Sequence, residues 1–274
     1  MVDELGVEAG QVIAGKYRLV KLLGRGGMGS VWRADDLSLL SQVALKVIKP
    51  EVAKNQNSVA RFMREAKAAA LLRSPHVVQI LEHGSEGTIF YIAMELLEGD
   101  SLLQRLKRQG SLGPALTATV ITHVGRAMQK AHDAGIIHRD LKPDNVFLVD
   151  NDDEVVGKVL DFGIAKTELG LLDLTGESPQ TQTGALLGTP YYMSPEQATG
   201  QKDIDHRADL WAVGVITFEC LLGKRPYQSD SLGDLLLQIC SREQPVPSQH
   251  GPVPEGFDAW FARTQARNPN ERYQ

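Results

Sequence analysis

The stretch "HRDLKPDN", His138 to Asn145, sets an aspartate, a lysine and an asparagine close together, and sixteen residues past Asn145 comes "DFG", Asp161 to Gly163. An aspartate can orient an attacking hydroxyl and accept its proton, which is work for Asp140. Lys142 can neutralise charge on a transferring phosphoryl group. Asn145 and Asp161 supply hard oxygen donors of the kind that suit Mg²⁺ bridging nucleotide phosphates. A solvated charged turn does not require both motifs intact and in this order.

Near the start, "LLGRGGMGSVW" from Leu22 to Trp32 places Gly24, Gly26 and Gly29 at G-x-G-x-x-G spacing, a weak signal by itself. A dinucleotide loop should open a helix, yet Val31 and Trp32 continue a strand pattern. A P-loop should end in Gly-Lys-Ser/Thr, and here Gly29-Ser30-Val31 stands instead. A hairpin folded over phosphates remains, beside a merely flexible hairpin. In "VALK", Lys46 lies in an apolar strand with Val43 and Ala44 suited to packing a flat ring. Glu65, in "REAKAAA", is a helix glutamate available to orient Lys46 toward a phosphate. Taken singly, both charges are ordinary solvated residues.

Six separated motifs in order make the chain resemble a protein kinase over essentially all of residues 16 to 274. The resemblance implies that Gly24, Gly26, Gly29 and Val31 form the nucleotide loop and that Lys46 pairs with Glu65. It makes Asp140 the catalytic base, with Lys142 beside it, and Asn145 and Asp161 the metal ligands. "SPE", Ser194 to Glu196, replaces the usual A-P-E; Asp209 matches a buried aspartate that braces the catalytic loop, and Arg272 the partner of Glu196. "YIAMELLEGDSL" is similar to the kinase hinge. There Met94 is the gatekeeper, the backbones of Glu95 and Leu97 bond adenine, and Val31, Ala44 and Phe147 sandwich the ring. The cofactors implied are ATP and Mg²⁺, with Mn²⁺ as a substitute.

Lys142 with Thr189 in "GTPYYMSPE" resembles serine/threonine kinases, and "GGMG", "RFMREAKAAALL" and "NPNERYQ" resemble the bacterial Hanks-type group. Transfer to serine and threonine of proteins, including autophosphorylation of the activation segment, is the implied activity. The alternatives are a pseudokinase-like binding or scaffolding module, or a small-molecule kinase. The first usually lacks Lys46, Asp140 or Asp161, and the second the Ser-Pro-Glu segment. "TQTGALLGTPYY" resembles a segment phosphorylated on two threonines, here Thr181 and Thr183, whose phosphates Arg139 would bind. The acidic turn "DNDDE" lacks the EF-hand glycine, since Val155 stands there, and reads as a solvated hairpin turn. His138 reads as a packed core histidine.

These residues need elements to hold them. "YRLVKLLG", "GSVWRADD", "QVALKVIKP", "VVQILEHG" and "TIFYIAMELL" read as strands, and "SVARFMREAKAAALLRS" as a helix that Ser58 can cap. After "EGDSL" the pattern becomes helical, with short strands "VFLVD" and "VVGKVLD". The expected fold is α+β and bilobal, the protein-kinase fold: a small antiparallel sheet with one main helix, then a larger, mostly helical lobe. The expected divisions are a frayed leader at 1–15, a small lobe at 16–97 and a large lobe at 98–274, with Gln274 falling inside the last helix.

The formal charge of −5 without a Lys/Arg run disfavours nucleic acid as a partner. The acidic start "MVDELGVEAG" is no signal peptide, and the apolar run from Leu210 is too short to span a bilayer and reads as a buried core helix. Two cysteines, Cys220 and Cys240, in apolar stretches read as reduced buried thiols of a cytoplasmic domain, whose parent chain could still be membrane-anchored. Protein substrates are the expected partners, with a homodimer as the arrangement for autophosphorylation in trans.

Overall fold

A computed structural model describes residues 7–26, 29–48, 56–151, 154–162 and 190–274. The chain divides into two compact units, Met1–Glu98 and Gly99–Gln274.

The first unit is a six-stranded antiparallel sheet: β1 (Val12–Ile13), β2 (Tyr17–Arg25), β3 (Gly29–Asp36), β4 (Ser41–Ile48), β5 (Ile80–Glu86) and β6 (Ile89–Glu95). Its strand order is β1-β2-β3-β4-β6-β5. Alternation drives it, since Tyr17 and Leu19 are buried while Arg18 and Val20 are exposed. One face, with Leu19, Trp32, Val43, Leu45 and Val47, forms the core. Two register shifts in the β2–β3 pair, at Leu19/Lys21 and Leu22/Gly24, add local twist. The described helix of this unit, α1 (Gln56–Leu71), lays Phe62 against Ile48 and Ile92. Ser58 falls inside α1 as its third residue and therefore is not its cap.

The leader is the main departure from the sequence reading. From Val7 onward it belongs to the sheet: Val7 is 1% exposed and Ile13 is 0%. β1 pairs with β2, and the N–H of Ala14 donates to Glu86 Oε2 at 2.9 Å. A two-residue strand between turns carries too few positions to register as a period, which is why it reads as frayed.

The second unit opens with β7 (Gly99–Ser101), which pairs with β8 (Val146–Asn151), itself paired with β9 (Glu154–Val159). Among the described residues its helices are α2 (Leu102–Gln109), α3 (Pro114–Asp133), α4 (Pro195–Ala198), α5 (Arg207–Leu222), α6 (Leu232–Cys240) and α7 (Phe257–Thr264). A reciprocal Ser101–Gln104 capping box starts α2, and α3 runs out at Ala134 before Gly135 at φ 72°. α5 is apolar on all sides and buries Trp211, Val215, Ile216 and Phe218, so the run from Leu210 is a core helix as expected. Cys220 on α5 is buried and its thiol is pushed up by burial; Cys240 on α6 is only half-buried, and both are free thiols. After α7 the backbone makes a short 3-10 turn at Pro269–Glu271, so Gln274 does not lie within a helix. Among the described residues, no helix is long and apolar enough to cross a membrane.

Candidate active site

In the first unit, the β3–β4 and β4–β6 registers put Val31 opposite Lys46, Lys46 opposite Ile92, and Ala44 opposite Met94. Directly opposed residues share a face, and residues two apart along a strand do too. Val31, Ala44, Lys46 and Met94 therefore share one face with Ile48 and Ile92, opposite the face of Leu45 and Val47. Register alone puts these four of the expected ligand residues on one face. Lys46 is half-buried there. Glu65 lies in α1 three positions after Phe62, and its side chain is outside the described residues, as is any pairing with Lys46.

The three glycines separate into two kinds. A Cβ on Gly29 would sit 1.9 Å from the Val47 carbonyl oxygen, so β3 can approach β4 only without a side chain there. On Gly24 a Cβ would meet nothing within 4 Å, and on Gly26 only the Gly29 oxygen at 3.9 Å. Gly26 N–H donates to that oxygen at 2.8 Å, closing the turn. Packing demands Gly29; it does not demand the other two. At the end of β6, Glu95 N–H donates to Gln79 O at 3.0 Å, while Glu95 Oε1 accepts from Gln79 N–H at 2.8 Å. Its N–H is thus engaged within the unit. Leu97 follows in the short link after β6.

In the second unit the catalytic-loop residues are locked by hydrogen bonds that run to three elements. Asp209, in the first turn of α5 and 1% exposed, accepts from His138 N–H at Oδ2 (2.9 Å) and from Arg139 N–H at Oδ1 (2.8 Å). Its Oδ2 also meets His132 Nε2 at 2.8 Å. Arg139 has φ 62°, a conformation that a non-glycine residue holds only when its surroundings enforce it. Its carbonyl accepts from Gln197 Nε2 at 2.8 Å.

His138 is fully buried, its ring 5.0 Å from that of Phe162. Its Nδ1 accepts from Asp140 N–H at 3.3 Å, so Nε2 carries the proton and donates to Leu160 O at 3.1 Å. This histidine is a packed core residue, as the sequence implies, and it also ties Asp140 to the backbone leading into Asp161.

Asp140 Oδ2 lies 3.0 Å from Lys142 Nζ, the pair only partly screened from solvent. Asn145 Nδ2 donates to the Asp140 carbonyl at 2.9 Å, and Leu160 N–H donates to the Asn145 carbonyl at 2.8 Å. Asn145 directly precedes β8 and Asp161 follows β9 by two residues. Because Val146 pairs with Val159, the hairpin brings these two oxygen donors to one end. Phe147 is half-buried, alternating with the fully buried Val146 and Leu148 and so lying on the other face of β8.

The donor chemistry fits Mg²⁺. Nδ2 of Asn145 is committed to the loop, so its Oδ1 is a neutral oxygen donor at the same end of the hairpin as Asp161. Mg²⁺ typically takes one or two protein donors and fills its remaining positions with water and substrate phosphates. Among the described residues there is no group of three or more His, Cys, Asp and Glu that could hold a metal unaided.

Arg272 reaches Glu196 with both terminal nitrogens, at 2.7 and 2.8 Å, in a pair almost wholly out of water. Sequence reasoning missed His132 and Gln197. His132 gave no signal, being one histidine in a helical run. Gln197 did give one, since Ser194-x-x-Gln197 is a capping box, and both reciprocal bonds form at the start of α4. Thr181, Thr183 and Thr189 lie outside the described residues.

A twisted antiparallel sheet packed by a helix, followed by a helical unit whose aspartate loop is tied to an asparagine and a second aspartate, defines a phosphotransferase of the protein-kinase type. Residues 17–258 match the protein kinase domain family, and the chain belongs to it. It is 41% identical over 270 residues to the serine/threonine-protein kinase pkn3 of Myxococcus xanthus, covering 96% of this chain and 48% of that protein. With the serine/threonine-protein kinase PknD of Mycobacterium tuberculosis it shares 38% identity over 261 residues, 94% of this chain and 38% of that one. The crystal structure of the Mycobacterium tuberculosis PknI kinase domain superposes with a TM-score of 0.73 at 26% identity, covering 97% of this chain and 94% of that one. These relatives make it a serine/threonine-protein kinase domain of the bacterial Hanks type. The chain spans half or less of the length of these curated relatives.

Proposed function

We propose that this domain transfers the γ-phosphoryl group of ATP to serine and threonine hydroxyls of proteins, its own activation segment included. The observation that carries the reading is the fixed Asp140. His138 and Asn145 hold its backbone, Lys142 flanks its carboxylate at 3.0 Å, and Asp209 grips the two residues before it. Asp140 orients the acceptor hydroxyl and takes its proton. Lys142 offsets charge on the group in transit. Lys46 anchors the nucleotide phosphates, and Glu65 orients Lys46. Gly24 and Gly26, whose Cβ positions are open, let backbone N–H groups approach those phosphates. Val31, Ala44, Met94 and Phe147 pack the adenine, and the Glu95 carbonyl and Leu97 N–H bond it. Asn145 and Asp161 hold Mg²⁺, which when bound neutralises phosphate charge; Mn²⁺ has the same donor preference.

Arg139 supports the regulatory half of the reading. Its Nε is buried without a hydrogen-bond partner among the described residues, an uncompensated guanidinium edge of the kind a phosphate pairs with. Phosphate on Thr181 and Thr183 is the source we propose, added in trans within a homodimer. The substrates we infer are proteins, in the reducing interior of the cell that suits the free thiols of Cys220 and Cys240.

The test is transfer from labelled ATP–Mg²⁺ to the domain itself and to a generic basic protein, beside Asp140→Asn. Transfer by the wild type alone is expected; equal transfer by both, or none by either, sinks the reading. Mass spectrometry of the active protein should find Thr181 and Thr183 phosphorylated, and an unmodified pair in fully active protein would remove them from the account.

A further inference from the structure

We infer that Gln197 is the positioning residue that ties the aim of Asp140 to α4; the inference rests on the phosphoryl-transfer reading above. The two ends of its amide serve different partners. Oε1 accepts from Ser194 N–H at 3.1 Å and stands 3.3 Å from Ser194 Oγ, completing the cap of α4. A backbone N–H needs an acceptor and a carbonyl needs a donor, so the other end is Nε2–H, which donates to the Arg139 carbonyl at 2.8 Å. α4 is itself anchored: Ser194 is fully buried, and Glu196, the residue before Gln197, holds Arg272 at 2.7 and 2.8 Å.

The Arg139 carbonyl belongs to the peptide plane that joins Arg139 to Asp140. Rotation of that plane changes ψ of Arg139 and φ of Asp140, and so the direction in which the Asp140 carboxylate leaves the chain. Arg139 at φ 62° gives the plane little hold of its own, since a non-glycine residue keeps that conformation only where its surroundings impose it. The plane is gripped at its two edges. On one, Asp140 N–H donates to His138 Nδ1 at 3.3 Å, from within the same loop. On the other, the Arg139 carbonyl takes the shorter bond from Gln197, fifty-eight positions away. Asp209 holds the N–H groups of His138 and Arg139, on the two planes before this one, and leaves this plane to the other pair. Among the described residues, the Gln197 amide makes no hydrogen bond to the Asp140 carboxylate or to Lys142. Its influence on transfer therefore passes through the peptide plane.

The experiment compares wild type, Gln197→Glu and Gln197→Lys, with Asp140→Asn as the inactive control. Glutamate keeps the acceptor for Ser194 N–H and loses the donor to Arg139. Lysine keeps a donor that reaches the Arg139 carbonyl and loses the acceptor. Each variant forfeits one bond, so both should melt about 2–4 °C below wild type. Only the lost donor should slow transfer: kcat should fall about tenfold in Gln197→Glu and stay within about threefold in Gln197→Lys. KM for ATP should stay within about twofold in both. Amide hydrogen exchange over residues 138–141 should be faster in Gln197→Glu and near wild type in Gln197→Lys.

Unchanged kcat and exchange in Gln197→Glu overturn the inference. Equal losses of kcat in both variants overturn it as well, because the cap or the general fit of the side chain, not the donor, would then matter. A loss of kcat that merely follows the melting temperature also counts against it. If the wild type transfers no phosphate, the activity reading has failed. Exchange then decides alone: faster exchange in Gln197→Glu only upholds the tie, and equal exchange in both variants breaks it.

Discussion

Arg272 and Glu196 stand seventy-six positions apart and meet as a two-pronged ion pair inside the second unit. Arg272 also donates to the carbonyls of Ala266, Arg207 and Arg267, so one side chain ties the last described turn to α4, the start of α5 and the loop after α7. Breaking a buried pair by removing one partner leaves the other charge uncompensated, at a cost of about 3–5 kcal/mol. Arg272→Ala and Glu196→Ala should both show losses of this order in urea melts. Arg272→Ala should be the worse, since it abandons three carbonyls as well. The double variant should cost less than the two single losses added together, as a coupled pair requires. Strict additivity would mean the pair contributes nothing beyond its separate packing.

The glycines permit a clean separation of folding from function. Gly29→Ala drives a methyl into the Val47 carbonyl and should destabilise the domain by about 1–3 kcal/mol. Gly24→Ala and Gly26→Ala meet open space and should leave stability within about 0.5 kcal/mol. Their effect is expected in KM for ATP, which should rise. Thermal melts and ATP titrations of the three variants, run side by side, check both halves. A stable Gly29→Ala would contradict the packing argument.

Catalysis should depend on two kinds of residue in different ways. Asp140→Asn removes the base we propose and should lower kcat by about 10²–10⁴-fold with little change in nucleotide binding. Asp161→Asn removes a charged oxygen donor and should raise the Mg²⁺ concentration needed for half-maximal rate. Chelation of the metal should silence the wild type. Initial rates across a Mg²⁺ series distinguish the two variants, and an unshifted Mg²⁺ dependence in Asp161→Asn would remove it from the metal site.

The cluster that pins the start of the sheet should report itself at alkaline pH. Glu82 Oε2 takes Lys16 Nζ at 2.6 Å and the Tyr17 hydroxyl at 2.9 Å. Burial raises the pKa of Tyr17 to about 12 from its ordinary 10.0, the Lys16 bond opposing and the Glu82 bond assisting. The bond to Glu82 raises that of Lys16 as well. The native state then keeps protons that the unfolded chain surrenders from about pH 10 upward. The contribution of these two groups should be fully present below that point and be lost as pH rises to about 12. Melting temperatures across this window should drop more shallowly in Tyr17→Phe, and identical slopes would exclude Tyr17 as a contributor.

Much of this was legible in the sequence because the informative residues are close neighbours in it. Asp140, Lys142 and Asn145 sit within one loop, the strands alternate, and α5 is mostly apolar. The two-unit α+β architecture and the family follow from those local signals and their order. Asp209 and the Arg272–Glu196 pair came into view only through likeness to kinases, since residues that distant leave no local mark. Nothing local singles out His132, which is 77 positions from the carboxylate it meets. The strand at Val12–Ile13 stayed hidden for the opposite reason: it is local but too short to repeat.

The two thiols differ in one respect that reaches past stability. Cys220 is sealed inside the core helix with its sulfur held protonated, whereas Cys240, twenty residues on, is half open to solvent. Burial raises both thiols, but Cys240 is reachable in the folded chain, so an alkylating reagent should mark it well before Cys220, which waits for the second unit to open. The chain carries its own two-channel clock: one label counts encounters with reagent, and the other counts breaths of the core.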